Sequence, residues 1–356
     1  ASLGADVEFM VGDVEGFVFT FDALFDERRD SPFWSDASCG APAGQSPVDG
    51  RPYYDCGTSR QEIIVSNVDG GAGTTFSFSL ENEFDNGWSF WLNYTNQDID
   101  EVHPGTSSTA TSNYSDHATF DRQNPLNRRS NYEIEHQVNA RLGWRHAFFG
   151  DYETRAELFM ERRSGRPFSY TYGYSNGPGN IYRRISPFGI HESAADDEGT
   201  LFYVPMTDAN GVVTMTSDPR INYTAGFDID GFNRYLQQSG LINYAGQIAP
   251  ANGFQTDWST IFDLRLSQEI PAFFPQAARG IFYMDIENFG NLLNDDWGRY
   301  DNVRYEYFQP VVELYEFDRA AGTYTYDDAR GIPHSNEFRI SRRSLWQIQF
   351  GVRYQF

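Results

Sequence analysis

The last eleven residues constrain the fold more than any other stretch. Within 346–356, Trp346, Ile348, Phe350, Val352, Tyr354 and Phe356 alternate with Gln347, Gln349, Gly351, Arg353 and Gln355. A β-strand sends successive side chains to opposite faces, so this segment carries one wholly apolar face and one polar face. A helix of 3.6 residues per turn would scatter the same residues around its axis. The alternation recurs over 3–11, 17–23, 76–82, 90–94, 134–148, 154–160, 262–266 and 282–286, with Trp91 as an exception. Charges occupy the polar side in nearly every case: Asp6, Glu8, Glu81, Glu83, Glu133, Glu135, Arg141, Arg145, Arg155, Glu157, Glu161, Asp263, Arg265, Asp285 and Glu287.

Connections between these segments are of two kinds. Short ones fall at 12–13, 85–87 and 150–151, with a slightly longer turn at 271–278. Asn86-Gly87 is the strongest hairpin signal a short turn can carry. Long ones cover roughly 25–72, 101–131, 164–258 and 291–343, and the two kinds alternate along the chain. Segments of about ten alternating residues joined by short turns at one end and long loops at the other are the signature of a transmembrane β-barrel. A soluble β-sandwich is the alternative, because one of its faces also meets a core. It does not require the alternation of loop lengths, and it does not explain so heavily charged a polar face.

The expected fold class is therefore all-β, an antiparallel up-and-down barrel wall. Nine strands are expected, at about 1–11, 14–24, 73–84, 87–100, 132–148, 152–163, 259–270, 279–290 and 344–356. Nine is odd, so the first and last strands run the same way and cannot close on each other antiparallel. An open edge in hydrocarbon leaves unsatisfied backbone groups costing several kcal/mol each. The expectation is a partial barrel, completed by strands outside these 356 residues or on another chain.

Composition removes several function classes. All 27 basic residues are Arg, against 50 Asp and Glu, for a net charge of −23. Nucleic acid is excluded as a partner by that balance, and lysine-based chemistry by the absence of Lys. No apolar run reaches the roughly 18–20 residues of a transmembrane helix. The opening Ala-Ser-Leu-Gly-Ala-Asp has neither a basic nor an apolar leader region, which is expected of a mature or truncated chain. Cys39 and Cys56 bracket a polar loop with no His nearby in sequence. A disulfide in an oxidising compartment is expected, two unpaired loop cysteines being the alternative.

The motifs add a resemblance. Asp121-Arg-Gln-Asn-Pro125 precedes Ser130-Asn-Tyr-Glu133, followed by Phe148-Phe-Gly-Asp-Tyr152 and Arg163-Ser-Gly-Arg-Pro-Phe-Ser169. Tyr244-Ala-Gly-Gln-Ile-Ala-Pro-Ala-Asn-Gly253 and Phe262-Asp-Leu-Arg-Leu-Ser267 come next. Asp285-Ile-Glu-Asn-Phe-Gly-Asn-Leu-Leu-Asn-Asp-Asp-Trp-Gly298 and the terminal Phe356 complete the set. Along nearly its whole length the chain resembles the C-terminal portion of a TonB-dependent outer-membrane receptor, and more narrowly the Oar-like branch. The resemblance implies that 1–356 form the last strands of a 22-stranded barrel in the outer membrane of a Gram-negative bacterium. Its implied partners are outer-membrane lipid, an N-terminal plug, the remaining strands, the TonB complex and a substrate of unknown identity. Neither a TonB box nor a plug is found in the chain. The rival class is a non-transporting surface or adhesin-like barrel that binds partners through its loops.

In either reading Glu81, Glu83, Glu133, Glu135, Arg141, Arg145, Arg155, Glu157, Asp263, Arg265, Asp285 and Glu287 line the lumen, against a plug or a passing substrate. Like-facing carboxylates such as Glu133/Glu135 and Asp285/Glu287 recur on several strands, which marks a lining rather than an acid–base pair. No catalytic residue, and no enzyme activity, is expected. Asp98/Asp100/Glu101, Asp196-Asp197-Glu198, Asp295-Asp296 and Asp327-Asp328 are solvated loop charge or ligands for loop-bound calcium, none with EF-hand spacing. Apart from that calcium no cofactor is expected. The six histidines, His103, His117, His136, His146, His191 and His334, show no zinc-ligand spacing, and Gly177-Pro-Gly179 is a turn. Trp88, Tyr94, Trp144, Trp258, Trp297 and Trp346 near strand ends fit interfacial girdles, or else carbohydrate platforms. A short helix is expected near 232–239 and a hairpin within 299–326. Ligand capture is expected in the long loops, around Tyr170-Thr-Tyr-Gly-Tyr174 among others.

Overall fold

A computed structural model describes residues 1–56, 61–173, 186–191, 199–272, 278–303, 307–328, 338–339 and 342–356. Asp196-Asp197-Glu198, Gly177-Pro-Gly179, Tyr174, His334 and the interior of the 271–278 turn lie outside those residues. Nine long strands run through the main sheet: β1 (Ser2–Val11), β2 (Val14–Glu27), β3 (Ala72–Glu83), β4 (Trp88–Glu101), β5 (His136–Phe149), β6 (Tyr152–Arg163), β7 (Ser259–Pro271), β8 (Arg279–Glu287) and β9 (Gln347–Gln355), and the two-residue strand Arg128–Arg129 pairs with β4 beside that path. Each of the nine pairs antiparallel with its neighbour in sequence, so spatial order repeats chain order. Among the described residues β1 and β9 form the two edges, do not pair with each other, and leave the sheet open.

Turn chemistry sets this register. Gly12 and Gly150 take positive φ in the two-residue turns, where a side chain would be strained. At Gly87, with φ of 88°, an added Cβ would lie 2.1 Å from the Arg145 carbonyl oxygen. The Arg145 N–H donates to the Gly87 carbonyl at 2.9 Å, so that turn abuts the next hairpin. Cross-strand rows then assemble by residue type. Phe19, Leu80, Leu92, Ala140, Met160 and Phe262 sit directly opposite one another in turn, as do Leu142, Leu158, Leu264, Ile286 and Ile348. A slip of one residue in any pair would send a whole strand's apolar set to the polar face.

Four boundaries differ from expectation by three residues or more: β2 runs on to Glu27 rather than 24, β9 starts at Gln347 rather than 344, and two more have a visible cause. β5 starts at His136 rather than 132, because 131–135 fold into a turn tied down by their own side chains. β8 ends at Glu287, since Asn288 adopts a left-handed conformation (φ 51°) and opens a short helix, Phe289–Leu293.

The nine strands carry almost no core of their own. Among the buried apolar side chains described, only Ala23 and Ile286 belong to them. The rest lie in the long connections, which fold together into a second body. Its sheet has five strands, in the order Ile221–Tyr223, Thr323–Asp327, Phe308–Asp318, Pro167–Gly173, Phe254–Gln255. Thr323–Asp327 and Phe308–Asp318 form the expected antiparallel hairpin, whereas Phe308–Asp318 lies parallel to Pro167–Gly173. The expected helix is Ile229–Gln238, whose first turn is capped by Asp228 accepting from the Gly231 N–H at 2.8 Å. Cys39 and Cys56 are joined by a disulfide within this body.

Aromatic density in the loops turns out to be the core of this second body. Tyr170, Tyr172, Phe202, Phe232, Tyr324 and Tyr326 are all at most 1% exposed. The tyrosine hydroxyls are satisfied internally: Tyr172 and Tyr326 share a hydrogen bond at 2.8 Å, and Tyr326 donates to the Tyr203 carbonyl at 2.8 Å. Tyr324 donates to Ser46 Oγ at 2.7 Å and Asp49 Oδ1 at 2.9 Å. Asp49 also holds Arg51 Nε at 2.8 Å, and both side chains are 1% exposed. The Arg51 guanidinium stacks 4.8 Å from the Phe188 ring centre and donates to the Leu201 carbonyl at 2.7 Å. Three of the four long connections converge on this ion pair. The fourth joins through Asp121, which accepts from the Tyr54 hydroxyl at 2.9 Å.

Candidate functional site

The polar face of the main sheet is the broadest concentration of charge that the strands organise. One cross-strand row reads Glu83, Ser89, Gly143, Glu157, Arg265, Asp285, Gln349. A second reads Glu81, Trp91, Arg141, Phe159, Asp263. Opposite charges meet within and between the rows: Arg265 Nε lies 3.5 Å from Asp285 Oδ1, and Arg145 pairs with Glu83. Arg155 turns along its own strand to Glu153, with its two nitrogens at 2.9 and 2.6 Å, and Asp263 accepts from the Asn288 N–H at 2.7 Å. Glu287 is placed on β8 with Asp285. This is a lined surface whose paired charges contribute a few tenths of a kcal/mol per exposed pair, while Arg141 Nε is buried with no hydrogen-bond partner among the described residues. The surface can bind and orient a polar partner, and it offers no activated nucleophile.

Glu133 and Glu135 are not on that surface. Both precede β5 and are clamped by Arg129, whose Nε donates to Glu133 at 2.6 Å and whose terminal nitrogen donates to Glu135 at 2.7 Å. Glu133 also accepts from the Ile99 N–H at 2.7 Å, and Glu135 from Gln255 at 3.0 Å. A buried carboxylate satisfied by an N–H and a guanidinium stabilises a turn; Glu133 locks the long-loop end of β4 to the start of β5.

That end of the sheet also carries a cleft the motif reading did not mark as a site. Tyr132, Arg163, Arg166, Asp257, Tyr300 and Asp301 are among its lining residues, around a cavity of about 50 Å³. Guanidinium groups stack on its rings, Arg163 at 4.9 Å from Tyr300 and Arg166 at 5.8 Å from Tyr132. Gly165 makes the approach: an added Cβ would sit 1.7 Å from the Thr256 carbonyl oxygen. The signal in the sequence was Arg163-Ser-Gly-Arg166, a glycine between two cations. Small-molecule pockets usually run to about 300–1,000 Å³. This cleft is a joint between the two bodies, with room for little more than a water or two.

The acidic clusters are spent locally. Glu101 is buried and accepts from Ser130 Oγ at 2.8 Å and the Asn131 N–H at 2.9 Å. Asp327 accepts from Thr224 at 2.8 Å, Asp328 from the Asp228 N–H at 2.6 Å, and Asp296 pairs with Arg299. Among the described residues no three carboxylates converge to metal-binding distance. Tyr94, His136 and Trp258 form a stack at the long-loop end, with the Arg162 guanidinium 5.1 Å from the Trp258 centre. Trp88 and Trp144 pair at the short-turn end, 6.3 Å apart.

Two histidines give the second body a pH response. His103 and His117 pack with ring centres 4.5 Å apart, and both contact the Asn113 carbonyl. Burial lowers the His103 pKa to about 4, assisted by the Arg128 and Arg122 charges. His117 is lowered by burial, His103 and the same two arginines; Glu101 is the nearby acid that partly offsets Arg128. Unfolded, each ring takes a proton near pH 6.5; folded, neither does until far lower, so stability holds above pH 6.5 and falls from there toward pH 4. The loss from His103 alone is about 3 kcal/mol across that window, as a tenfold change in proton affinity is worth about 1.4 kcal/mol. Near-UV circular dichroism of the tyrosine core, in urea titrations at stepped pH, reads it. A midpoint that stays flat from pH 7 to 4.5, or a slope unchanged in His103→Gln, contradicts the assignment.

Comparison with protein-family models finds no match to this chain, and comparison with curated proteins finds none either.

Proposed function

We propose that the chain is the C-terminal part of an outer-membrane receptor barrel of the kind its motifs resemble, the TonB-dependent receptors of the Oar-like branch. The observation that carries the reading is the unpartnered apolar face: Leu92, Leu142, Phe282, Phe350 and Val352 stand between 45% and 74% exposed, on strands with no core beneath them. Water opposes such a face and lipid accepts it. The aromatic bands support the same reading. From His136 to Trp144 is eight residues, about 27 Å along a strand, against an apolar band roughly 25 Å tall in barrels of this kind.

In this reading the long-loop body faces the cell exterior and the polar face turns inward, toward a plug and a passing substrate. Further strands of the parent protein pair with the edges of β1 and β9, and the TonB complex supplies energy through the plug. A surface barrel that binds partners without transport is the second reading, favoured by the loop body being solidly packed around its own tyrosines. Loss of substrate uptake on deleting the energy complex separates the two.

Proteolysis of intact cells tests the orientation. A protease of broad specificity is expected to cut within 25–72 or 164–258 and to spare the turns at 85–87 and 150–151. A lysine-specific enzyme should leave these residues whole. Cuts confined to the neighbourhood of the short turns would reverse the topology.

A further inference from the structure

We propose that Cys39, Cys56 and His191 form, once their disulfide is reduced, a binding site for a thiophilic d¹⁰ cation, with Asp36 orienting the imidazole. A ring nitrogen of His191 and the two sulfur atoms lie within 4.8 Å of one another, and all three residues are buried. Ligand atoms around one Zn²⁺, at bond lengths near 2.3 Å to sulfur and 2.1 Å to nitrogen, stand roughly 3.5–4 Å apart. Reaching that spacing requires the two cysteine side chains to rotate apart once the bond between them is broken.

The histidine is prepared for such a role. Its Nδ1 is 2.7 Å from Asp36 Oδ2, while its Nε2 is buried with no hydrogen-bond partner among the described residues. Asp36 is itself fixed: its Oδ1 accepts from the Ser38 N–H at 2.9 Å, Ser38 Oγ at 2.7 Å and the Glu62 N–H at 3.0 Å. With Nδ1 engaged by Asp36, Nε2 is the ring nitrogen left to meet a cation. Carboxylate, imidazole and metal in that order is the arrangement that orients metal-binding histidines. A buried nitrogen left without a partner is costly, and a bound cation would satisfy it.

The chemistry balances with a dithiol reductant. It delivers two electrons and two protons to the S–S bond and leaves as its own cyclic disulfide. The cation then displaces the two thiol protons to solvent. Two thiolates and one imidazole suit three-coordinate Cu⁺, or Zn²⁺ with a water as fourth ligand.

The full chain, reduced with a dithiol and desalted, is titrated with Zn²⁺ and separately with Cu⁺. The expected result is one cation per reduced chain, none per oxidised chain, and zinc-edge X-ray absorption showing two sulfurs and an imidazole in the wild-type protein. Cys39→Ser should abolish binding, and Asp36→Asn should weaken it about 10- to 100-fold. Binding of Cu⁺ alone would identify the site as three-coordinate. Absence of both cations from the reduced chain, a shell of sulfur without imidazole, or loss of the tyrosine circular dichroism on reduction would each overturn the proposal.

Discussion

Arg51→Met is expected to lower the stability of the loop body by about 3–5 kcal/mol, the usual consequence of leaving a buried charge without its partner. Asp49 would remain 1% exposed, its carboxylate left with the Tyr324 hydroxyl and the residue-51 backbone N–H and no cation. Burial by itself would lower the Arg51 pKa, and Asp49 more than offsets this, so Arg51 is charged at any working pH. The Leu201 carbonyl loses its donor in the same substitution. Urea unfolding followed by near-UV circular dichroism measures the loss. Arg51→Met with Asp49→Leu should recover most of it, since removing both charges leaves no buried charge without a partner. A single variant as stable as the wild type would show that the pair does not hold the loops together.

Leu142→Arg is expected to cost about 2–4 kcal/mol of stability in a bilayer, the penalty for a guanidinium at mid-depth on a lipid-facing strand. Leu142 sits in the central apolar row, opposite Phe90 and Leu158, and is 46% exposed. Gln349→Arg is its control: that position lies opposite Asp285 on the polar face and should accept the charge. The comparison is made in the whole parent protein, as the fraction that assembles into outer membrane and resists unfolding before heating. If both faces tolerate arginine alike, the apolar face does not meet lipid.

The strands could be read from the sequence because each is specified by its own residues. Alternation at period two, an Asn-Gly at 86–87 and a Gly-Asp at 150–151 are local signals, and local signals suffice where neighbours in sequence are neighbours in space. Misplacing the start of β5 had a local cause as well: Glu133 and Glu135 continue the alternation, but Arg129 and the Ile99 N–H bind their carboxylates more favourably than the strand pairing would. Of the twelve residues expected to line the polar surface, ten stand on the strands and two in the turn before β5.

The loops were not legible in this way. Their tyrosines carry no period that says whether a ring faces a ligand, a lipid headgroup or another ring. Burial answers that, through a parallel pairing of Ser169 with Phe308 and an ion pair under Phe188 that brings Arg51 to Leu201. The cysteines make the sharpest case. In the sequence no histidine lies near them, and His191 stands 135 positions beyond Cys56 (191 − 56), yet folding sets its imidazole against both sulfurs. The chain by itself determined the two-faced sheet, since alternation is a property of consecutive residues. Tertiary structure alone decided what the loops enclose, since long-range proximity depends on which surfaces must leave water together.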